Sequence, residues 1–203
     1  MELENYQKEE NLISIVWANV FSLLMLIPSI LIFVLPYYFI WSNTSLGIPI
    51  VNDLINAIID GDIFVALKLF TFFLAFLAII ILGIILHELI HGIFFAKYAK
   101  NGFSSIKFGV IWKKLMPYCN CKEPLTVRHY IIAAIMPTII LGIIPSIISI
   151  LIGNVWVLLF GIIFIVSGAG DILIIHSLRN EKKDDLVIDH PSEPGCYIFR
   201  KII

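Results

Sequence analysis

Charge is the scarcest ingredient of this sequence. Asp, Glu, Lys and Arg make up 14% of the 203 residues, and 14 basic side chains nearly balance 15 acidic ones. With no basic surplus to hold a polyanion, nucleic acid is excluded as a partner. Cysteine is scarce as well. Cys119, Cys121 and Cys196 are too few and too late in the chain for a secreted disulfide framework. Cys119 and Cys121, in a Cys-x-Cys pair without further partners, read as reduced thiols rather than a metal site. No internal repeat is visible, which argues against a transporter built from repeated halves.

Apolar residues are what the chain has in abundance. They form 60% of the sequence, and the mean hydropathy is +0.97. Four runs, at about residues 12–40, 63–97, 126–152 and 155–178, reach the length of about 20 residues that a bilayer demands. The fold class expected is an all-α integral membrane protein: four transmembrane helices, with a short cytoplasmic β-hairpin-like loop between the second and third. Residues 1–178 then form the membrane domain and 179–203 a cytoplasmic tail. The opening MELENYQKEE is polar and acidic, and no small-residue cleavage site follows the first apolar run, so that run is expected to remain as a span. Pro28, Pro36, Pro137 and Pro145 fall inside spans and predict kinks.

Charge placement sets the orientation. Residues 41–62 contain no Lys or Arg, whereas Lys97, Lys100, Lys107, Lys113, Lys114, Lys122 and Arg128 crowd the connection between the second and third runs. Arg179, Lys182, Lys183, Arg200 and Lys201 follow the fourth. Positive residues gather on the cytoplasmic side, which predicts a multi-pass cell-membrane protein with both termini inside. Tyr37, Tyr38, Trp41 and Trp156 then fall in the outer aromatic belt and Trp17 in the inner one. The basic connection includes FSSIKFGVIWKKLMPYCNCKEP, where alternation at Ile106, Phe108 and Val110 with Gly109 and Pro117 reads as a strand or hairpin. The tail reads as a charged linker followed by a strand packed on that loop, with Asp189 and His190 in ordinary turn chemistry.

The second run ends in ILGIILHELIHGIFFAKYAK. Ionisable groups in hydrocarbon cost roughly 2.5–3.5 kcal/mol each on insertion scales, so His87, Glu88 and His91 need a reason to be there. Their pattern is H-E-x-x-H. On a helix the two histidines share a face one turn apart and can supply adjacent corners of a zinc tetrahedron, with Glu88 beside them as general base for zinc-bound water. A frayed helix end is the plain alternative, but GIFFA continues the apolar helix beyond His91. Haem ligation would want histidines facing each other from separate helices.

A third ligand must come from another span. Asp171, in IVSGAGDILIIHSL, is the only acidic residue inside the fourth run, eight residues before Arg179 and so about 12 Å from the helix end. His91 stands six residues, or about 9 Å, before Lys97, and His87 ten residues, or about 15 Å, so all three share a depth. Ser167, Gly168, Ala169 and Gly170 form a small-residue patch that would admit the second helix. His176 is a weaker candidate, about 140° around the helix from Asp171.

HELIH in one span, SGAGD in a later one and RHYIIAAIMPT between them resemble the site-2 protease type of intramembrane zinc metalloprotease. A compact bacterial family of zincin peptidases, all small membrane proteins, is more similar still, with segments like YCNCKEPLTVRHYIIAAIMP and VIDHPSEPGCYIF. This resemblance covers about residues 64–200. It implies zinc as cofactor on His87, His91 and Asp171, Glu88 as catalytic base, and a membrane protein or peptide substrate cut in or at the lipid bilayer. The chain departs from site-2 proteases at Gly170 and Ile172 beside the aspartate, and at Met136, Pro137 and Ile140, where that group tends to carry Gly-Pro and a downstream Asn. A transporter or metal-handling protein, or a membrane protein in which zinc only clamps two helices, are the alternative readings of the same residues.

Overall fold

A computed structural model describes residues 5–42, 55, 56, 59, 63–112 and 116–202. Most of the loop expected outside the membrane, and Lys113 and Lys114, lie outside the described residues.

Four helices are long and apolar enough to cross a membrane: α1 (Ile15–Trp41), α2 (Ile63–Tyr98), α3 (Val127–Ile152) and α4 (Val155–Asn180). The starts of α1, α3 and α4 follow capping chemistry. Ser14 accepts from Trp17 N, Thr126 from His129 N, and Asn154 Oδ1 from both Trp156 N and Val157 N. Gly153, at φ 72°, ends α3 in the left-handed conformation, and the Gly153-Asn154 corner turns α4 back antiparallel to it.

The prolines act locally. Ile30–Val34 in α1 and Thr138–Ile143 in α3 are π-helical, each lying just before a proline, Pro36 and Pro145 respectively. Proline cannot supply the next N–H of the ladder, and a wider turn absorbs the fault. Small residues then bring helices together. A methyl group at Gly161 of α4 would stand 2.8 Å from the Gly142 carbonyl oxygen and 2.9 Å from Ser146 N of α3, so that crossing depends on glycine. At the far end α1 is tied to the α3 terminus, where Tyr37 Oη donates to Gly153 O at 2.8 Å and Trp41 Nε1 to Ile150 O at 2.9 Å. Tyr37 is therefore a buried hydrogen-bonding residue rather than a belt residue facing lipid.

The all-α expectation needs correction, because the described residues also form two small antiparallel sheets. In one, β2 (Ile106–Ile111) and β3 (Met116–Cys121) make the anticipated hairpin, with Phe108 opposite Cys119 and Gly109 opposite Tyr118. The other has the order β1-β6-β5-β4, from β1 (Tyr6–Leu12), β4 (Leu125–Thr126), β5 (Leu186–Asp189) and β6 (Gly195–Lys201). The polar opening of the chain is thus an edge strand, paired with β6 from Tyr6↔Lys201 to Leu12↔Gly195. Arg200 on β6 reinforces this by binding Glu9 on β1 and, at 2.7 and 2.8 Å, Glu181 just past α4. Since β1 precedes α1 and β6 follows α4, both described ends of the chain lie on one side of the helical layer.

Beneath the sheets lies the larger of two buried clusters among the described residues. Phe95 of α2, Ala133 and Tyr130 of α3, Leu178 of α4, Val187 of β5 and Cys196 of β6 pack there together. That core locks the HELIH end of α2 to the base of α3.

Candidate metal centre

α2 runs unbroken through HELIH, so His87 and His91 fall one turn apart on a single face, with ring centroids 4.9 Å apart. Both are buried. Asp171 reaches them from α4, whose α-helical ladder is interrupted at Gly168 and resumes over Ala169–Ser177. The carboxylate therefore sits in the first turn of the resumed segment, where helix N-terminal N–H groups favour negative charge.

Asp171 Oδ2 stands 3.3 Å from His87 Nε2, and Oδ1 stands 3.4 Å from His91 Nε2. All three ligand atoms lie within 4.8 Å of one another. Charge-assisted N–H···O hydrogen bonds prefer about 2.7–2.9 Å. Two donors each about 2.0–2.1 Å from one tetrahedral ion would be about 3.3–3.4 Å apart, so the three side chains stand close enough together to hold one cation. The donor set, two imidazoles and one carboxylate, is also the zinc type that keeps a fourth position open.

The surroundings hold these side chains in place. His91 Nδ1 donates to the Ala133 carbonyl at 3.1 Å, which leaves the Nε2 lone pair aimed at the centre. Phe95 stacks on His91 and Phe164 on His87, covering both rings with apolar surface. His87 Nδ1 and the Thr138 hydroxyl, both buried, have no hydrogen-bond partner among the described residues.

Glu88 projects into a cleft of about 570 Å³ shared with the two histidines and Asp171. Among the described residues its side chain makes no hydrogen bond, which leaves both oxygens available to water. Tyr118 and Asn120 of the hairpin, Asn19 of α1 and the turn after β5 wall the cleft.

Other singled-out residues fall differently. His176 is exposed and apart from the cluster. Gly168 packs on Thr138 of α3 instead of admitting α2, and a methyl group at Gly170 would meet nothing within 4 Å. The three thiols are buried and free, with burial pushing Cys121 up to about 11 and Cys196 up to about 12, so none is a ready thiolate.

Asp189 does more than ordinary turn chemistry. It accepts from Tyr130 Oη at 2.5 Å and from Cys121 N at 2.6 Å, and it pins β5 to the hairpin. Burial raises its carboxyl to about 6 against the pull of those two donors. His190 does serve the turn, with Nδ1 accepting from Ser192 N and Glu193 N, while Nε2 lies 3.0 Å from Glu10 of β1. The only advance signal for Asp189 was its place at the end of an apolar run, LVID.

A family model described as "Putative zincin peptidase" matches residues 80–186, just over half of the chain. The chain belongs to that family. The matched region holds the histidine pair, the base of α3 and Asp171, so zincin peptidase chemistry and the convergent cluster point to the same ion, zinc. No curated protein and no solved structure matches the chain.

Proposed function

We propose that this zincin peptidase family member is a membrane-embedded zinc metalloprotease that cleaves peptide bonds at or within the bilayer, in the manner of site-2 proteases. The observation that carries the reading is the meeting of His87, His91 and Asp171 from two separate membrane-type helices, with Glu88 in the adjoining cleft.

Zinc on those three residues would polarise a scissile carbonyl and acidify water. Glu88, beside the pair on the same helix, takes the proton from the attacking water and returns it to the departing amine. Phe95 and Phe164 keep bulk water from the ligands, which strengthens every electrostatic interaction within. The β2–β3 hairpin offers strand edges along the cleft, so an unwound substrate segment can be held extended with its carbonyl exposed. Charge supports an orientation. Lys97, Lys100, Lys122, Arg128, Arg179 and Lys182 fall at the sheet ends of the helices, and the positive-inside tendency favours that side, with both termini, facing the cytoplasm.

The test is a pair of measurements on full-length protein. Glu88→Gln should retain one zinc per chain and abolish the new N-termini that wild-type expression generates among membrane proteins. His91→Ala and Asp171→Ala should lose both zinc and cleavage. Cleavage products that do not depend on Glu88 would overturn the protease reading in favour of an ion carrier or a zinc clamp, and full zinc occupancy in Asp171→Ala would remove Asp171 from the metal site.

A further inference from the structure

Ala133 is completely buried in α3, and its carbonyl oxygen takes a hydrogen bond from an imidazole where the ordinary α-helical donor is missing. The cause is four residues on. In an α-helix the donor to that carbonyl is the N–H of residue 137, and residue 137 is proline, set inside the helical stretch Val127–Pro137. Pro137 has no N–H to give, and its ring crowds the carbonyl of residue i−4 and pushes it off the helix axis. A buried carbonyl left so is unfavourable without another donor. His91 Nδ1 is that donor, at 3.1 Å.

The arrangement is particular to this proline. Pro36 and Pro145 follow π-helical turns, and Pro28 lies within α1, far in sequence from the imidazoles. Only Pro137 frees a carbonyl that faces a ligand of the candidate centre among the described residues.

We propose that Pro137 is a positioning residue of the metal centre: it keeps the Ala133 carbonyl available, the carbonyl fixes the His91 tautomer and ring angle, and His91 Nε2 is thereby presented to the ion. The inference rests on the reading of His87, His91 and Asp171 as zinc ligands. Pro137 touches no substrate, and it acts through a backbone oxygen and one imidazole. Alanine at this position restores the helical donor, draws the carbonyl back to the axis and loosens the ring.

The experiment compares full-length wild type, Pro137→Ala and Pro145→Ala in detergent, titrating zinc alone against a chromophoric chelator. Loss of an outer hydrogen-bond partner typically weakens metal binding by 10- to 100-fold, so Pro137→Ala should bind zinc about 10-fold more weakly or worse. Pro145→Ala, which alters the same helix away from the imidazoles, should match wild type. A second readout needs no zinc: in ¹⁵N-histidine-labelled metal-free protein, the His91 Nδ1–H should exchange with water faster in Pro137→Ala than in the other two. Equal zinc affinity in wild type and Pro137→Ala, or equal weakening in both proline variants, would overturn the inference while leaving the zinc reading intact. Failure of wild type itself to bind zinc would instead remove the functional reading, and this inference with it.

Discussion

Asp189 makes the fold sensitive to pH in an unusual direction. Its carboxyl is raised from the ordinary 3.8 to about 6, because enclosure between β5, the hairpin and α3 disfavours the charged form more than Tyr130 Oη and Cys121 N favour it. A raised acid binds its proton more tightly when folded than when unfolded. Below about pH 4 both states are protonated and the group contributes nothing; between about 4 and 6 the unfolded chain releases the proton first, so stability falls as pH rises; above about 6 the loss is complete. A shift of about two units corresponds to at most about 3 kcal/mol, and the residual contact of Asp189 with the cleft lowers that ceiling.

Asp189→Asn removes the titration while preserving size. Unfolding free energies should be measured by denaturant titration in mixed micelles from pH 3.5 to 7.5, for metal-free wild type and variant. Subtracting one curve from the other cancels groups with the opposite slope, such as Glu123 and Glu181, whose partners lower them in both proteins. The wild type should lose roughly 2–3 kcal/mol relative to the variant between pH 4 and 6.5. A flat difference curve, or one that rises, would show that Asp189 is charged at little cost and that the burial argument is wrong.

The remaining expectations are simpler. Gly161→Ala should lower stability by about 1–3 kcal/mol, because its methyl meets α3 backbone, whereas Gly170→Ala, facing open space, should be neutral or stabilising by up to about 1 kcal/mol; thermal unfolding distinguishes them. Zinc at a hundredfold excess over its dissociation constant should stabilise wild type by about 2.7 kcal/mol, and chelator should reverse this, with no response in His91→Ala or Asp171→Ala.

Local patterns were readable from the chain, and long-range ones were not. HELIH needs only helical geometry to align its histidines, and the depth match of Asp171 needs only the helical rise. The hairpin announced itself by alternation around Gly109. β1 did not, because YQKEENL lacks an apolar face, and its partner β6 lies at the other end of the chain. Charge along an edge strand also deters further pairing, which is why the segment reads as a polar lead. Four prolines were visible, but whether each would bend, widen or redirect its helix depended on neighbours: π-turns before Pro36 and Pro145, an imidazole beside the carbonyl freed by Pro137. The small-residue patch was likewise seen and misdirected, since only packing decides that Gly168 meets Thr138 rather than α2.

The three ionisable groups at the centre tolerate burial only as a set, which gives a test independent of catalysis. In metal-free protein the Asp171 carboxylate is held by two imidazoles and little else in apolar surroundings. Replacing both histidines with leucine strands a buried charge, and breaking a buried pair from one side costs roughly 3–5 kcal/mol. Adding Asp171→Leu removes that charge, and an apolar replacement of a whole buried ionic group is often neutral or stabilising. The triple variant should therefore unfold at a higher temperature than the double histidine variant, despite carrying one more substitution. Residues whose polarity served the fold itself would show the opposite order, each replacement adding to the damage. A triple variant no more stable than the double would mean that Asp171 has another partner, and that the cluster is not a closed unit awaiting a cation.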